Sequence, residues 1–208
     1  VTGVQTCALP IWVISRCGTA SPIPTVVGWA KEHRNAAFAW SEISNAGRVN
    51  TDKEDLQFGF DLVSMEPLAD FKLGDFESNR SSIGDWSIPE SVVAQFMVLH
   101  KKEPVATLRG GTGIAARTLI PRGDDPPLVL WAGSRMRTAS ANLTLSESNG
   151  DLVRQLQPNP IYVHDLAPSP DGKFAVVSTG LHRLSIYAID GASFPLMSFA
   201  RINGQWVL

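Results

Sequence analysis

The chain has 208 residues and a formal net charge of −2, with 44% hydrophobic and 18% charged residues. This near-neutral charge gives no electrostatic footprint for nucleic acid or an anionic membrane, so we expect neither as a partner. The hydrophobic content suffices to bury a core and excludes a disordered chain. No apolar run approaches the roughly 18 residues that a membrane-spanning helix needs.

Residues 1–11 resemble a translated sequencing-library adapter rather than a protein segment. When the stretch from Val1 to Ile11 is written back into codons, it matches one fixed oligonucleotide throughout. We therefore interpret residues 1–11 as an adapter-derived artefact and exclude them from fold reasoning. We also expect a chain truncated at both ends, with residues 12–22 as the remnant of a preceding structural unit.

The cysteine content indicates the redox environment. Cys7 lies in the adapter stretch, so Cys17 is the single native cysteine. No intrachain disulfide and no Cys-x-x-Cys metal or redox site can form. We expect a cytoplasmic location, although a disulfide-free periplasmic protein would have the same composition.

The first predicted unit spans residues 23–72. Apolar strands at 25–30 and 36–40 flank a polar turn, and after a polar insertion two further strands are predicted at 56–62 and 66–71. Short strands separated by turn residues are typical of antiparallel sheets.

Two more units of the same kind follow along the chain. In the unit at 73–110, strands at 92–99 and 104–108 are clear, and two others must fit between 81 and 93. The unit at 112–157 has strands at both sides of the turn Pro121–Asp124, and then at 139–145 and 152–156. Its run Leu128–Trp131 is continuously apolar, as in strands that are buried on both faces.

The unit at 160–200 is the clearest. Its first two strands flank Ser169-Pro-Asp-Gly-Lys173, in which Pro and Gly suit a tight turn and Asp caps it. Strands at 183–189 and 195–199 follow, and residues 201–208 begin another strand. Pro67, Pro104, Leu152 and Pro195 mark equivalent outer strands at spacings of 37, 48 and 43 residues, close to the period of about 40–45 of propeller blades.

The Ser169-Pro-Asp-Gly-Lys173 turn resembles that of WD-repeat β-propeller proteins, where it joins the first two strands of a blade. Phe60-Asp61-Leu62 with Pro67-Leu68 resembles the close of such a blade. This resemblance implies an all-β fold: an open fragment of a β-propeller with about four blades of four antiparallel strands. We expect almost no helix, two uncovered apolar blade faces, and burial of Leu130, Trp131, Val176, Val177 and Ile186.

Residues 194–208 are similar to a junction in bacterial proteins that join such propeller repeats to a caspase-like peptidase domain. The resemblance implies a non-catalytic scaffold or protein-interaction region that regulates an attached peptidase. The alternative is a fragment of a propeller enzyme of the hydrolase or lactonase type. That alternative requires acidic or His residues at equivalent inner-strand ends, and Asp165 has no clear counterpart in the other units.

Candidate chemical groups have simpler structural interpretations. The Gly-rich stretch 109–113 leads into a strand and not into a helix, so we interpret it as a turn between units and not as a phosphate loop. The acidic clusters at 52–55 and 124–125 lack the alternating ligands of a calcium loop. The basic pairs Lys101-Lys102 and Arg135/Arg137 are predicted to lie in solvated turns.

The four histidines, His33, His100, His164 and His182, have no partner at metal-ligand spacing. His164 and Asp165 are adjacent on a strand and point to opposite faces, which excludes a catalytic dyad. Asn142–Thr144 matches a glycosylation sequon in mid-strand and is discounted. Trp29, Trp40 and Trp131 are predicted core residues. We therefore predict no catalytic, cofactor-binding or metal-binding residue and no cofactor.

Deletion of residues 1–11 is expected to leave the melting temperature unchanged within error, because an adapter-derived stretch was not selected to pack on the fold. Thermal unfolding followed by circular dichroism, with the full chain as reference, checks this. A marked fall would show that the segment contributes to the structure.

Overall fold

The computed structural model describes residues 24–30, 37–42, 58–61, 66–67, 76–77, 80–89, 94–110, 113–135, 139–156, 163–179, 183–202 and 205–207. These residues form strands and turns, with no helix among them. The strands assemble into four antiparallel sheets, which we number I to IV in chain order. The prediction of an all-β, antiparallel chain is confirmed.

The strands of sheets I and II are β1 (Pro24–Ala30), β2 (Ala37–Glu42), β3 (Phe58–Asp61), β4 (Glu66–Pro67), β5 (Phe76–Glu77), and then β6 (Ser82–Ile83), β7 (Trp86–Ser87), β8 (Gln95–His100) and β9 (Glu103–Arg109). Those of sheets III and IV are β10 (Gly113–Arg122), β11 (Asp125–Arg135), β12 (Ala139–Glu147), β13 (Leu152–Leu156), and then β14 (Val163–Pro168), β15 (Phe174–Thr179), β16 (Arg183–Ala188), β17 (Met197–Ile202) and β18 (Gln205–Val207).

Each sheet is a meander in which consecutive strands pair antiparallel. Sheet I departs from this pattern, because β5 returns to pair with β1, with Trp29 opposite Glu77 and Ala30 opposite Phe76. This strand was not predicted, since two residues carry no periodic signal. The first two strands of sheet II were predicted to fit between 81 and 93, and β6 and β7 do so with two residues each.

The central part of β11 in sheet III is buried on both faces. Leu128 and Leu130 of β11 belong to a core cluster shared with sheet IV, in which Val177 and Tyr187 lie. Val129, between them, belongs to a second cluster shared with sheet II. Because successive strand residues point to opposite faces, a continuous apolar run is what two-sided burial requires.

The burial predictions hold for four of five residues. Leu130, Val176, Val177 and Ile186 are fully buried. Trp131 is only partly buried, and its indole N–H donates a hydrogen bond to Ser146 Oγ at 3.3 Å. A tryptophan with a polar contact at its edge commonly keeps part of its ring at the surface.

The first strands of the sheets lie near one another. Strand β10 runs beside β14, and β14 runs beside β1. Between sheets II and III, the Leu119 N–H donates to the Arg80 carbonyl at 2.8 Å, and the Arg80 N–H donates to Thr118 Oγ1 at 2.9 Å. Sheet IV therefore has neighbours on both sides, sheet III through β10 and sheet I through β1.

Trp29 joins sheet I to sheet IV. It is fully buried, as predicted, and its indole N–H donates to the Ala167 carbonyl at 2.8 Å. Its ring also stacks on Phe174, with 6.4 Å between the ring centroids. The expectation that the last unit leaves an apolar face uncovered is not met on this side, because sheet I covers it.

Tyr187 of β16 is fully buried in the cluster between sheets III and IV. Burial raises the pKa of its hydroxyl to about 12, while a hydrogen bond with the Ser185 side chain acts in the opposite direction. In the unfolded chain the pKa returns to 10.0. The folded state is thus stabilised relative to the unfolded state below pH 10, and this contribution is lost as the pH rises from 10 to 12.

We expect the unfolding free energy of the native chain to fall between pH 10 and 12 by up to about 3 kcal/mol more than that of a Tyr187→Phe variant. Urea denaturation at each pH measures the difference. In a Tyr162→Phe background Tyr187 is the sole tyrosine, so its tyrosinate absorbance should appear near pH 12. Titration near pH 10 in the folded protein would contradict the assigned burial.

Candidate functional site

A groove of about 520 Å³ runs between sheets III and IV, at the end where the β10–β11 and β14–β15 hairpins turn. Leu128, Leu145 and Ile189, which are largely buried, form its apolar part. Six charged side chains of both signs line it: Arg122, Glu147, Arg154, Asp171, Lys173 and Asp190. A groove with an apolar base and a few polar groups has the character of a binding site.

The β14–β15 turn forms one wall of the groove. Ser169 Oγ donates to Asp171 Oδ1 at 2.6 Å, and the Lys173 N–H donates to the same oxygen at 3.1 Å. The Phe174 N–H donates to Ser169 Oγ at 3.0 Å. Gly172 has a φ of +72°. The predicted roles of Asp171 as the cap of its own turn and of Gly172 as the left-handed residue are both confirmed.

Gly172 also sets how closely the two hairpins approach. A Cβ at this position would lie 1.9 Å from the Pro121 carbonyl oxygen of sheet III. The turn of β10–β11 has its own left-handed glycine, Gly123, with a φ of +63° and open space around it. Gly172 and Gly123 thus have the same left-handed backbone conformation, but a close contact with the neighbouring sheet is made at Gly172 and not at Gly123.

Arg122 and Glu147 form a fixed ion pair within sheet III. The two carboxylate oxygens of Glu147 accept hydrogen bonds from Arg122 Nη1 at 3.2 Å and Nη2 at 2.7 Å. The Arg122 Nε–H donates to the Pro126 carbonyl at 2.9 Å. All three guanidinium nitrogens of Arg122 thus have partners within the fold, and its charge is paired with the Glu147 carboxylate.

Among the described residues that line the groove, Arg154 of β13 is the cation with a buried donor that lacks an acceptor. Its Nη2 donates to the Ile189 carbonyl across the groove. Its Nε is buried and has no acceptor among the described residues. No described carboxylate lies within ion-pair distance of it. A partly buried guanidinium in this state carries an uncompensated desolvation cost.

Several predicted turns are confirmed, but Asp125 and Arg135, which were predicted to lie in turns, are the first and last residues of β11, because the strand pairs along its whole length. Arg109 ends β9 and Gly113 begins β10, so this Gly-rich stretch connects sheets II and III and leads into a strand. Lys101 and Lys102 form the exposed β8–β9 turn, with φ of 52° and 70°. Asp124 is exposed in the β10–β11 turn.

Of the four histidines, His100 has a described side chain, and it does not line the groove. His100 stacks on Trp86, with 4.4 Å between the ring centroids. His164 lies in β14, but its side chain is outside the described set, as are His33 and His182 entirely. Within the described residues, no group of three or more His, Cys, Asp or Glu side chains could hold a metal ion.

The remaining candidates lie away from the groove or beyond the described ranges. Asp165 is near the start of β14, at the opposite end from the groove, and its backbone N–H donates to Ser178 Oγ at 3.1 Å. Thr144, of the glycosylation sequon, is buried in β12. The cluster 52–55, the segment 136–137 and the Trp40 side chain are outside the described set.

The groove residues were not singled out from the sequence. Arg154 lies in an edge strand of sequence Leu-Val-Arg-Gln-Leu. A single charged residue in such a strand is typical of a position that faces solvent. The contact of Arg154 with Ile189 is a contact between sheets, and strand pairing along the chain does not reveal it.

Comparisons with known proteins identify no family. No family model matches the chain, and no curated protein matches it. Among solved structures, the chain is similar to Kuenenia stuttgartiensis hydrazine synthase, with a TM-score of 0.44 and 12% identity over 99% of this chain and 53% of that chain. The chain thus spans about half the length of that protein chain. No helix among the described residues is long and apolar enough to cross a membrane.

We expect Gly172→Ala to be at least about 2 kcal/mol more destabilising than Gly123→Ala. Both alanines adopt a left-handed conformation that costs about 1 kcal/mol, but only the Cβ at 172 collides with a backbone atom of the neighbouring sheet. Chemical denaturation of the two variants measures the difference. Equal losses would mean that the two hairpins do not approach as described.

Proposed function

We propose that this chain is a non-catalytic β-propeller segment that serves as a protein-interaction scaffold. The arrangement of the sheets supports this proposal. Each sheet is an antiparallel meander, β10 and β14 of sheets III and IV run side by side, and β14 also has β1 beside it. Repeated meanders that are packed through their first strands and recur about every 40 residues are typical of propeller blades.

The groove between sheets III and IV carries the functional part of the proposal. Its walls are hairpins held by hydrogen bonds and by the Arg122–Glu147 pair, so it is preformed. Its charges are of both signs, which suits a protein surface with mixed charges better than a polyanion. Preformed walls lower the ordering cost that a partner must overcome on binding.

The similarity of residues 194–208 to a propeller–peptidase junction extends the proposal to the parent protein. There the scaffold would lie next to a caspase-like peptidase domain and regulate it by holding a substrate or regulator nearby. This extension depends on the sequence resemblance alone and is separable from the scaffold role.

A photo-crosslinking experiment tests the scaffold role. Benzoylphenylalanine is placed at Val153 or Lys173 in the groove, and at Met97 or Val105 as exposed control positions in sheet II. After irradiation in bacterial cells, adducts are identified by mass spectrometry. We expect one defined protein to be captured from both groove positions and from neither control position.

Three results would contradict the proposed role. Equal adducts at all four positions would indicate non-specific contact, and adducts at the control positions alone would move the interaction surface to sheet II. Absence of any adduct at the groove would also count against a scaffold that uses this groove.

A further inference from the structure

We infer that the groove between sheets III and IV takes an extended peptide segment of a partner protein, with an Asp or Glu side chain paired to Arg154. The inference rests on the proposed scaffold function and specifies its ligand. The carboxylate is assigned to Arg154 because the other cations of the groove are already engaged or exposed.

The engaged cations are excluded by their contacts. Arg122 uses Nε, Nη1 and Nη2 on Pro126 and Glu147. Lys173 has a largely exposed side chain, with its Nζ 3.8 Å from Asp171 Oδ2. An exposed ammonium with a nearby carboxylate contributes little to affinity.

Arg154 is neither paired with a described carboxylate, as Arg122 is, nor largely exposed, as Lys173 is. It is partly buried, its Nη2 donates a hydrogen bond to the Ile189 carbonyl, and its buried Nε has no acceptor in the part of the chain that the structure describes. A small rotation of the guanidinium toward the groove would expose Nε beside a second N–H. Those two donors form the planar fork that binds a carboxylate through two parallel hydrogen bonds.

The surrounding charge selects a carboxylate over a phosphate. Glu147, Asp171 and Asp190 line the same groove. A doubly charged phosphate or a nucleic-acid backbone would be repelled by these three acidic side chains and would carry more negative charge than Arg154 can balance. A single carboxylate matches the charge of Arg154.

The apolar residues select a peptide over a small acid. Val153, next to Arg154 on β13, lines the groove and is 45% exposed. Leu152 is 62% exposed on the same edge strand. An apolar residue beside the ligand's acidic residue would cover Val153, and β13, at the edge of its sheet among the described strands, can pair with an extended backbone.

The test begins with a phage-displayed library of random heptapeptides, selected on the full 208-residue chain. We expect enriched peptides to share one Asp or Glu adjacent to an aliphatic residue. A fluorescein-labelled consensus peptide then gives a Kd by fluorescence anisotropy. Arg154→Gln should weaken binding by at least about tenfold, whereas Arg154→Lys, which keeps the charge without the fork, should weaken it less.

A double-mutant cycle separates a direct pair from a general effect on the fold. Replacing the acidic residue of the peptide by its amide should weaken binding to the native chain and should have little further effect on Arg154→Gln. Arg109→Gln, an exposed arginine at the end of β9, is the matched control and should leave the Kd unchanged. Thermal unfolding confirms that each variant is folded.

The outcomes distinguish this inference from the scaffold function. Enriched peptides without an acidic residue, or a cycle with no coupling, would overturn the pairing with Arg154 and leave the scaffold function standing. Binding of free N-acetylglutamate as tightly as the peptide would replace the peptide by a small acid. Failure to enrich any peptide would count against both proposals.

Discussion

Sheet III is fixed between sheets II and IV by side chains that pack on both faces of one strand. Its β11 strand directs Leu128 and Leu130 to sheet IV and Val129 to sheet II. A strand that is buried on both faces cannot move against one neighbour without disturbing the other, because interiors are close-packed. Sheets II and IV are therefore held at fixed positions on either side of sheet III. The groove between sheets III and IV is held in shape for the same reason.

The close approach of the β14–β15 turn to the backbone of sheet III shapes the groove. Gly172 lets the β14–β15 turn come against the Pro121 carbonyl, which brings the charged residues of both hairpins to one end of the sheets. Arg154 then reaches Ile189 across the space between the sheets. The Arg154 side chain that makes this contact between sheets also holds a buried Nε with no acceptor among the described residues.

Sheet I is attached by different means. Trp29 supplies the buried ring and the indole hydrogen bond to Ala167 that join β1 to sheet IV. The burial of Trp29 could be predicted, since it lies in an apolar strand. Its partner could not, because Ala167 lies 138 residues further along the chain and no local pattern links the two.

The strand class, the meander order and several turns could be predicted from the sequence. Continuous apolar runs indicate burial locally, and Ser169-Pro-Asp-Gly has one favoured turn geometry. Three contacts could not be predicted: β1 lies beside β14, β5 pairs with β1, and Arg154 contacts Ile189. These are contacts between distant segments, and they depend on how whole sheets pack, which residue spacing along one strand does not encode.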